Sequence, residues 1–376
     1  MRVFVLGTRG FPNVQGGVEK HCEELYKRLA KFESVNITVF ARTPYISKGK
    51  RVSSWYNVNF IYLWCPRIKG FEAFVHTFLA CLICIFKKPE IVHIHNIGPG
   101  LFVPILKLFR IKVVLTYHSV NYLHKKWGKF AKIILKIGEC WSIKFADKII
   151  VISKEIKIFL ENKYNRKELE LIPNGVNNAK NIFKKKALKK YNLEHSKYIF
   201  CVSRFAPEKG LHDLIGAYLM IKKPDFRLVI AGGADSEDDY SKNILNLVGQ
   251  NDNILLVGFV YNEELIELYQ NASLFVLPSY FEGLSISLLE ALSCGIPVLL
   301  SDIKTHRDML IKEFRFFRVG DTKHLKIKIL DLIKRGISKY EKIEIKEMLE
   351  KNYNWDKIAV KTYRIYERLF NNLHNG

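Results

Sequence analysis

The stretch FEGLSISLLEALSCGIPV (281–298) places two carboxylates, Glu282 and Glu290, eight positions apart. Pro278 and Gly283 frame a loop after the apolar run LFVLP, and the pattern predicts a helix from about Leu284 or Ser285 to Cys294-Gly295, with Pro297 beyond it. A helix start offers unpaired backbone N–H groups and the positive end of the dipole, which suits a phosphate or diphosphate. Gly283 lets the backbone come close to such a group. Glu290 falls about two turns further on, within reach of ribose hydroxyls. It is flanked by Leu288, Leu289, Ala291 and Leu292, so it needs a partner or a ligand. Glu282 would reach the group beyond the phosphates. By itself it reads equally well as a loop acid.

The elements that must position these residues are legible as alternation. VFVL (3–6), ITVFA (37–41), FIYLW (60–64), IVHIH (91–95), VVLTYH (113–118) and KIIVIS (148–153) have the apolar character of buried parallel strands. Val18, Cys22, Leu25, Tyr26 and Leu29 recur at helical spacing between the first two. The pattern repeats in the second half with YIFCVS (198–203), RLVIAGG (227–233), NILLVG (253–258), LFVLP (274–278) and PVLLS (297–301). The expectation is an α/β protein of two Rossmann-like domains facing across a cleft. The first takes residues 1–172 together with a C-terminal helix, 357–376, packed back on it; the second takes 173–356, after the turn-rich joint LIPNGVN (171–177).

Composition bounds the rest. The chain has 376 residues, 48% hydrophobic and 26% charged, as expected of folded rather than disordered protein. Cys81 and Cys84 form a C-x-x-C, but inside the apolar run 73–86, which reads as a buried helix face rather than a redox or zinc pair. No secretory signal opens the chain, and its longest apolar run is shorter than the ~18 residues of a membrane span. A reducing, cytoplasmic setting is expected.

The net charge of +23 is uneven. Residues 1–172 carry 29 Lys and Arg against 12 Asp and Glu, residues 173–376 carry 31 against 25. An anionic partner for the first half follows: a membrane surface, a nucleic acid or a phosphorylated substrate. Within 125–145, Lys125, Lys129, Lys132 and Lys136 form one stripe, and Trp127, Phe130, Ile133, Ile134, Ile137 and Trp141 form another. The segment reads either as a membrane-docking helix or as a domain helix with its isoleucines in the core, and both readings are compatible if Trp127 and Phe130 touch lipid. Nucleic-acid binding is the weaker alternative, because aromatic residues do not interleave with Lys and Arg as a stacking platform.

The acidic stretch resembles the E-x7-E signature of family 4 retaining glycosyltransferases with the GT-B fold. VSRFAPEKG (202–210) is similar to that family's second signature, whose arginine and lysine hold the donor diphosphate, here Arg204 and Lys209. Two cations beside a departing nucleoside diphosphate offset the charge that develops as the sugar–oxygen bond breaks. TRGFPNVQGGVEKH resembles the glycine-rich loop after the first strand, with Gly16 and Gly17 at a helix start. Its GTRGFP…GG form looks like a subgroup that builds capsule, O-antigen and similar surface polysaccharides. VGFV (257–260) resembles the loop whose backbone reads the donor base, which assigns Phe259 and Val260; Gly283 and Leu284 join the donor set with Glu282 and Glu290. The resemblance makes Glu282, His118, Arg204 and Lys209 the catalytic set, with His118 facing the donor sugar.

His95 is the weaker candidate beside His118. His93 and His95 are read as lying on alternate sides of one strand, which argues against a zinc triad with His118. The resemblance implies a nucleotide-sugar donor carrying UDP, GDP or dTDP and a saccharide or polyprenyl-diphosphate-linked acceptor. Hexosyl or deoxyhexosyl transfer with retention would take place at the inner face of the plasma membrane. No metal or other cofactor is expected; were one needed, Asp235, Asp238 and Asp239 in DSEDD would be the place to look. A UDP-sugar epimerase of the same fold, needing no acceptor, is the alternative.

Overall fold

The computed structural model describes residues 1–376 apart from 69, 124–126, 235–236, 310 and 375–376. The chain divides into two units, Met1–Asn174 with Trp355–Gly376, and Gly175–Asn354. The joints thus fall at 174/175 and 354/355, two residues from each expected position.

In the first unit the strands are β1 (Arg2–Leu6), β2 (Asn36–Arg42), β3 (Ser54–Trp55), β4 (Val58–Leu63), β5 (Ile91–His95), β6 (Lys112–Tyr117), β7 (Lys148–Val151) and β8 (Leu169–Leu171). They form one sheet in the order β3-β4-β2-β1-β5-β6-β7-β8, parallel except for the short β3. The principal helices are α1 (Gly17–Leu29), α2 (Phe71–Lys87), α3 (Val103–Leu108), α4 (Lys129–Phe145) and α5 (Lys154–Tyr164).

The second unit has β9 (Tyr198–Val202), β10 (Arg227–Ala231), β11 (Ile254–Gly258), β12 (Leu274–Leu277), β13 (Val298–Ser301) and β14 (Phe316–Phe317), ordered β11-β10-β9-β12-β13-β14 and parallel throughout. Its helices are α6 (Lys186–Lys190), α7 (Leu211–Leu219), α8 (Asp239–Val248), α9 (Asn262–Asn271), α10 (Ile286–Ser293), α11 (Lys304–Arg307), α12 (Thr322–Arg335) and α13 (Lys339–Asn352). The last helix, α14 (Trp355–His374), belongs to the first unit.

Both sheets reverse their strand order once, between β1 and β5 in the first and between β9 and β12 in the second. Chains leaving the carboxyl ends of such neighbouring strands turn to opposite sides, so a crevice opens between them. The handedness of parallel crossovers puts α1 on one face of the first sheet and α2, α3 and α4 on the other. α1 shares its face with α14: Tyr26 and Leu29 pack in one buried cluster with Trp355, Ile358, Ile365 and Tyr366.

Two expectations about helices change. α2 is not buried along 73–86: Phe74, Phe78, Leu82 and Phe86 are exposed, and only its inner face, including Cys81 and Cys84, is covered. Burial raises both of those thiols, Cys81 to about 11, so they stay protonated, as suits core residues. On α4 the isoleucines do not pack inward either. Leu135, Gly138, Glu139, Ser142 and Ile143 are the covered residues, whereas Ile133 and Ile137 are exposed. The reason is Glu139. It is fully buried because Tyr117, Tyr122, Tyr164 and Lys163 all bond its carboxylate, and that polar anchor turns the apolar stripe outward.

Candidate functional site

The second sheet's switch point gathers the two signature loops. β9 ends at Val202 and leads through Arg204 to a short 3-10 turn, Pro207–Lys209. Gly210 then opens α7 with φ 66, and a Cβ there would lie 2.1 Å from the Pro278 carbonyl oxygen. A side chain is therefore excluded where the first loop crosses the start of the second. The loops are also bonded: the Tyr280 amide donates to the Glu208 carbonyl at 2.9 Å, and the Tyr280 hydroxyl donates to Asp213 Oδ2 at 2.6 Å.

This lacing brings Lys209 and Glu282 together. Lys209 Nζ donates to Glu282 Oε1 at 2.7 Å, and Ser279 Oγ donates to the same oxygen at 2.7 Å. Thr305 Oγ1 holds the Glu282 carbonyl at 3.2 Å. Glu282 is 7% exposed. Burial pushes its carboxyl up, but the Lys209 ammonium, with His306 and Ser279, outweighs burial and holds it below the usual carboxylate range. The site thus carries a fixed carboxylate with its lysine. The resemblance places Lys209 at the diphosphate; in this structure its charge is balanced by Glu282, a pairing the sequence does not show.

Gly283 and Leu284 follow, and Ser285 caps α10, its hydroxyl accepting from the Leu288 amide. The helix ends at Ser293 with Cys294 as cap, as the Cys-Gly-Ile-Pro pattern predicts. Glu290 is half-buried and accepts from the Tyr269 hydroxyl at 3.3 Å. Burial, reinforced by Glu290, pushes that hydroxyl well up, which keeps it a donor. Phe259 and Val260 lie after β11; Val260 is buried, and the Phe259 ring closes on Gly233 at the end of β10. Gly232 in turn sits against the Ser203 carbonyl, where a Cβ would come within 2.0 Å. The carboxyl ends of β9, β10, β11 and β12 therefore form one continuous rim. Asp238 is accounted for as the cap of α8, bonded to the Ser241 amide at 2.9 Å, and Asp239 is exposed in its first turn. Asp235 lies outside the described residues.

The first unit holds the remaining predicted residues. Gly16 caps α1 and Gly17 opens it, with open space around the latter. Glu19 ties the loop by accepting from the Arg9 amide at 3.0 Å. Gly7 packs against His95, where a Cβ would lie 2.1 Å from the carbonyl oxygen. His118, just past β6, is 7% exposed and meets His95, Nε2 to Nδ1, at 2.9 Å.

From there a buried chain of polar groups runs inward. His95 Nε2 meets the Tyr26 hydroxyl at 2.6 Å, which meets His93 Nδ1 at 2.9 Å; His93 Nε2 meets Thr116 Oγ1 at 2.7 Å, and the Tyr366 hydroxyl of α14 also reaches His93 Nδ1, at 2.5 Å. His93 and His95 therefore share a side, with rings stacked 4.4 Å apart. The sequence reading of alternate sides is corrected, since residues two apart on a strand point the same way.

The residue that sequence reasoning missed is His21. It lies on the second turn of α1, off the apolar stripe used to predict that helix. Its ring sits 4.8 Å from that of His118, centroid to centroid. Its Nδ1 donates to Asn174 Oδ1 at 2.8 Å, and its buried Nε2 has no hydrogen-bond partner. Burial lowers His21 to about 4 and His93 to about 3, and burial with the neighbouring imidazoles takes His95 and His118 well below the ordinary value. All four are neutral near pH 7. One ring nitrogen from each of His21, His95 and His118 lies within 4.8 Å of the others, the group of three among the described residues close enough to share an ion. His93 is not part of it.

Comparison with known proteins accounts for this arrangement. Residues 15–180 match the family model described as Glycosyltransferase Family 4, and residues 183–351 match Glycosyl transferases group 1. The uncharacterized glycosyltransferase MJ1069 of Methanocaldococcus jannaschii is 26% identical, over 95% of this chain and 96% of its own. The UDP-Gal:alpha-D-GlcNAc-diphosphoundecaprenol alpha-1,3-galactosyltransferase of Escherichia coli is 28% identical over 63% of this chain and 65% of its own. Sucrose-phosphate synthase of Thermosynechococcus elongatus shares the fold with a TM-score of 0.83 at 22% identity, over 98% of this chain and 99% of the other. Two family models that leave only the first 14 residues, positions 181–182 and the segment after 351 unmatched, with a two-sheet fold matched nearly end to end, give the assignment: the chain belongs to the family 4 glycosyltransferases of GT-B fold.

Proposed function

We propose that this glycosyltransferase moves a hexosyl or deoxyhexosyl group, with retention, from a nucleoside-diphosphate sugar to a saccharide or lipid-linked saccharide in the building of a surface polysaccharide. The observation that carries the reading is the Lys209–Glu282 pair at the second switch point, with Arg204 on the same loop as Lys209. In this reading Arg204 and Lys209 meet the diphosphate, and Glu282 sets the position of Lys209 and reaches the sugar. Gly283, Leu284 and the start of α10 receive the phosphates, Glu290 the ribose, and the loop at Phe259 and Val260 the base. In the first unit, Gly16 and Gly17 give close backbone approach, and His118 faces the donor sugar as a neutral hydrogen-bonding group. The acceptor hydroxyl attacks from the face the leaving group departs, and the donor phosphate takes its proton, so that no enzyme nucleophile is required.

The relative with a UDP-sugar donor and a diphosphoundecaprenol acceptor supports both substrate classes. A reaction without a metal ion belongs to the same proposal. Among the described residues no helix is long and apolar enough to cross a membrane, and contact with the inner face of the plasma membrane through residues 125–145 belongs to the same proposal. The test is a panel of UDP, GDP and dTDP sugars with saccharide acceptors, reading released nucleoside diphosphate and the anomeric configuration of the product. Acceptor-dependent release with a retained configuration, in the presence of EDTA, is the expected result. Free-sugar isomerisation without an acceptor would replace this reading by the epimerase, and an inverted product would end the retaining mechanism.

A further inference from the structure

The first unit presents an apolar face made by three helices. On α2 the exposed residues are Phe71, Phe74, Phe78, Leu82 and Phe86, the last 83% exposed. On α4 they are Phe130, Ile133, Ile137, Trp141 and Phe145, with Phe130 76% exposed. Both stripes step by three residues and then by fours, the spacing of one helix face. α3 lies between them and adds Ile105 and Leu108. The three helices are one body. Phe102, just before α3, packs on Phe74 and Phe78, with ring centroids 5.3 and 6.3 Å away. The Trp127 ring covers Gly70 at the head of α2. Gly100 and Gly138 bring α4 against the 97–101 segment so tightly that a Cβ on Gly138 would lie 2.3 Å from the Ile97 carbonyl oxygen.

The charge around this face is of one sign. Lys129, Lys136 and Lys144 run exposed beside the α4 stripe, and Lys87 and Lys88 close α2. The carboxylates of these helices are turned away from it: Glu72 is held by Arg42 and Tyr45, and Glu139 is fully buried. A large exposed apolar surface with a polar rim marks an interaction site. A second copy of the same face would bring lysine against lysine with no acid to meet them. An anionic bilayer offers acyl chains to the aromatic residues and headgroup charge to the lysines.

We infer that α2, α3 and α4 together form a surface that inserts its aromatic stripes into the acyl region of an anionic bilayer, with the lysines at headgroup level. This rests on the transferase reading for its purpose and on the exposed stripes for its existence. It extends attachment from the α4 lysines to α2, and it changes the attachment from one that salt removes to one that salt only weakens.

The experiment uses the full chain and vesicles of phosphatidylcholine with about one third phosphatidylglycerol. The triple variant Phe74→Ser, Phe78→Ser and Phe86→Ser changes exposed positions, two of which also touch Phe102, and its melting curve checks that it is folded. Its vesicle affinity is expected to fall about a hundredfold or more, at low and at high salt alike. The lysine-to-glutamine variant at 129, 132 and 136 is expected to lose affinity mainly at low salt. A second measurement reads depth: in Phe78→Trp, brominated acyl chains quench the added tryptophan. Vesicle-bound protein with an unquenched Trp at this position, a folded serine variant that binds like wild type, or wild-type self-association abolished by the serines would each overturn the inference. Nucleoside-diphosphate release with a soluble acceptor, measured on the same variants, tests the transferase reading separately. Either result can fail without the other.

Discussion

The two switch points are built from opposite electrostatic material. In the second unit a carboxylate and an ammonium are fixed at 2.7 Å, with Arg204 on the same loop. In the first unit three imidazoles and two phenols share a buried hydrogen-bonded chain without a carboxylate among its bonds, the His21 ring packs against its outer end, and burial keeps all four imidazoles neutral. A charged cluster holds and stabilises charge; a neutral one presents hydrogen bonds that cost little to desolvate. Under the proposed function the charged cluster is the one suited to a diphosphate and the neutral one to sugar hydroxyls, a distinction that a shared fold alone would not make.

The largest effect that can break this contrast is acid. The four histidines stay neutral in the folded protein while the unfolded chain gains protons below its ordinary value near 6.5. Stability is therefore whole above that pH and falls as pH drops toward the folded values, about 4 for His21 and about 3 for His93. Each contributes a slope of about 1.4 kcal/mol per pH unit within its window. Glu282 has the opposite arrangement: its lowered carboxyl stabilises above the ordinary 4.5 and loses that only as pH falls through the folded value. Melting temperature should drop between pH 6.5 and 4.5, before the Glu282 window opens. A flat profile there would mean that the imidazoles are charged and the comparison is wrong.

Next is Lys209→Ala. Turnover is expected to fall ~10²–10³ through loss of a cation at the leaving group. The folded state should also lose about 3–5 kcal/mol, because Glu282 is left buried and unpaired. Adding Glu282→Gln should restore stability but not turnover, and thermal melts with steady-state rates separate the two. Third, Glu290→Ala should weaken nucleotide binding by about 1.5–3 kcal/mol in calorimetry. Normal affinity in the folded variant would remove Glu290 from the donor site. Smallest, Tyr366→Phe should cost about 1 kcal/mol of stability through His93 and leave nucleotide affinity unchanged. An equal loss of nucleotide affinity would show that the first unit's polar chain also carries donor charge.

The long central strands and α10 were legible because buried parallel strands and a capped helix write dense local patterns. β3, β8 and β14 were not, since each is two or three residues long at a sheet edge and too short for any period to show. The signature residues of the second unit were legible as types and spacing. Their pairing was not, because Lys209 and Glu282 are 73 positions apart and joined by Gly210 fitting under Pro278. His21 escaped for a similar reason. Its meaning comes from His118 and Asn174, which reach it only through the sheet. The outward turn of α2 and α4 was hidden because an apolar helix reads as core unless something shows which face the sheet takes.

α14 has a consequence for how the chain is made. The first unit's core includes Trp355, Ile358, Ile365 and Tyr366, which are synthesised after the whole of the second unit. The second unit is contiguous and finds all its partners as it emerges. The unit that is translated first is thus the one that finishes folding last, with the α1 side of its sheet open until the final helix arrives. Chains stalled or cleaved before residue 355 would carry a folded second half and an open apolar surface on the first, the kind of species that chaperones retain.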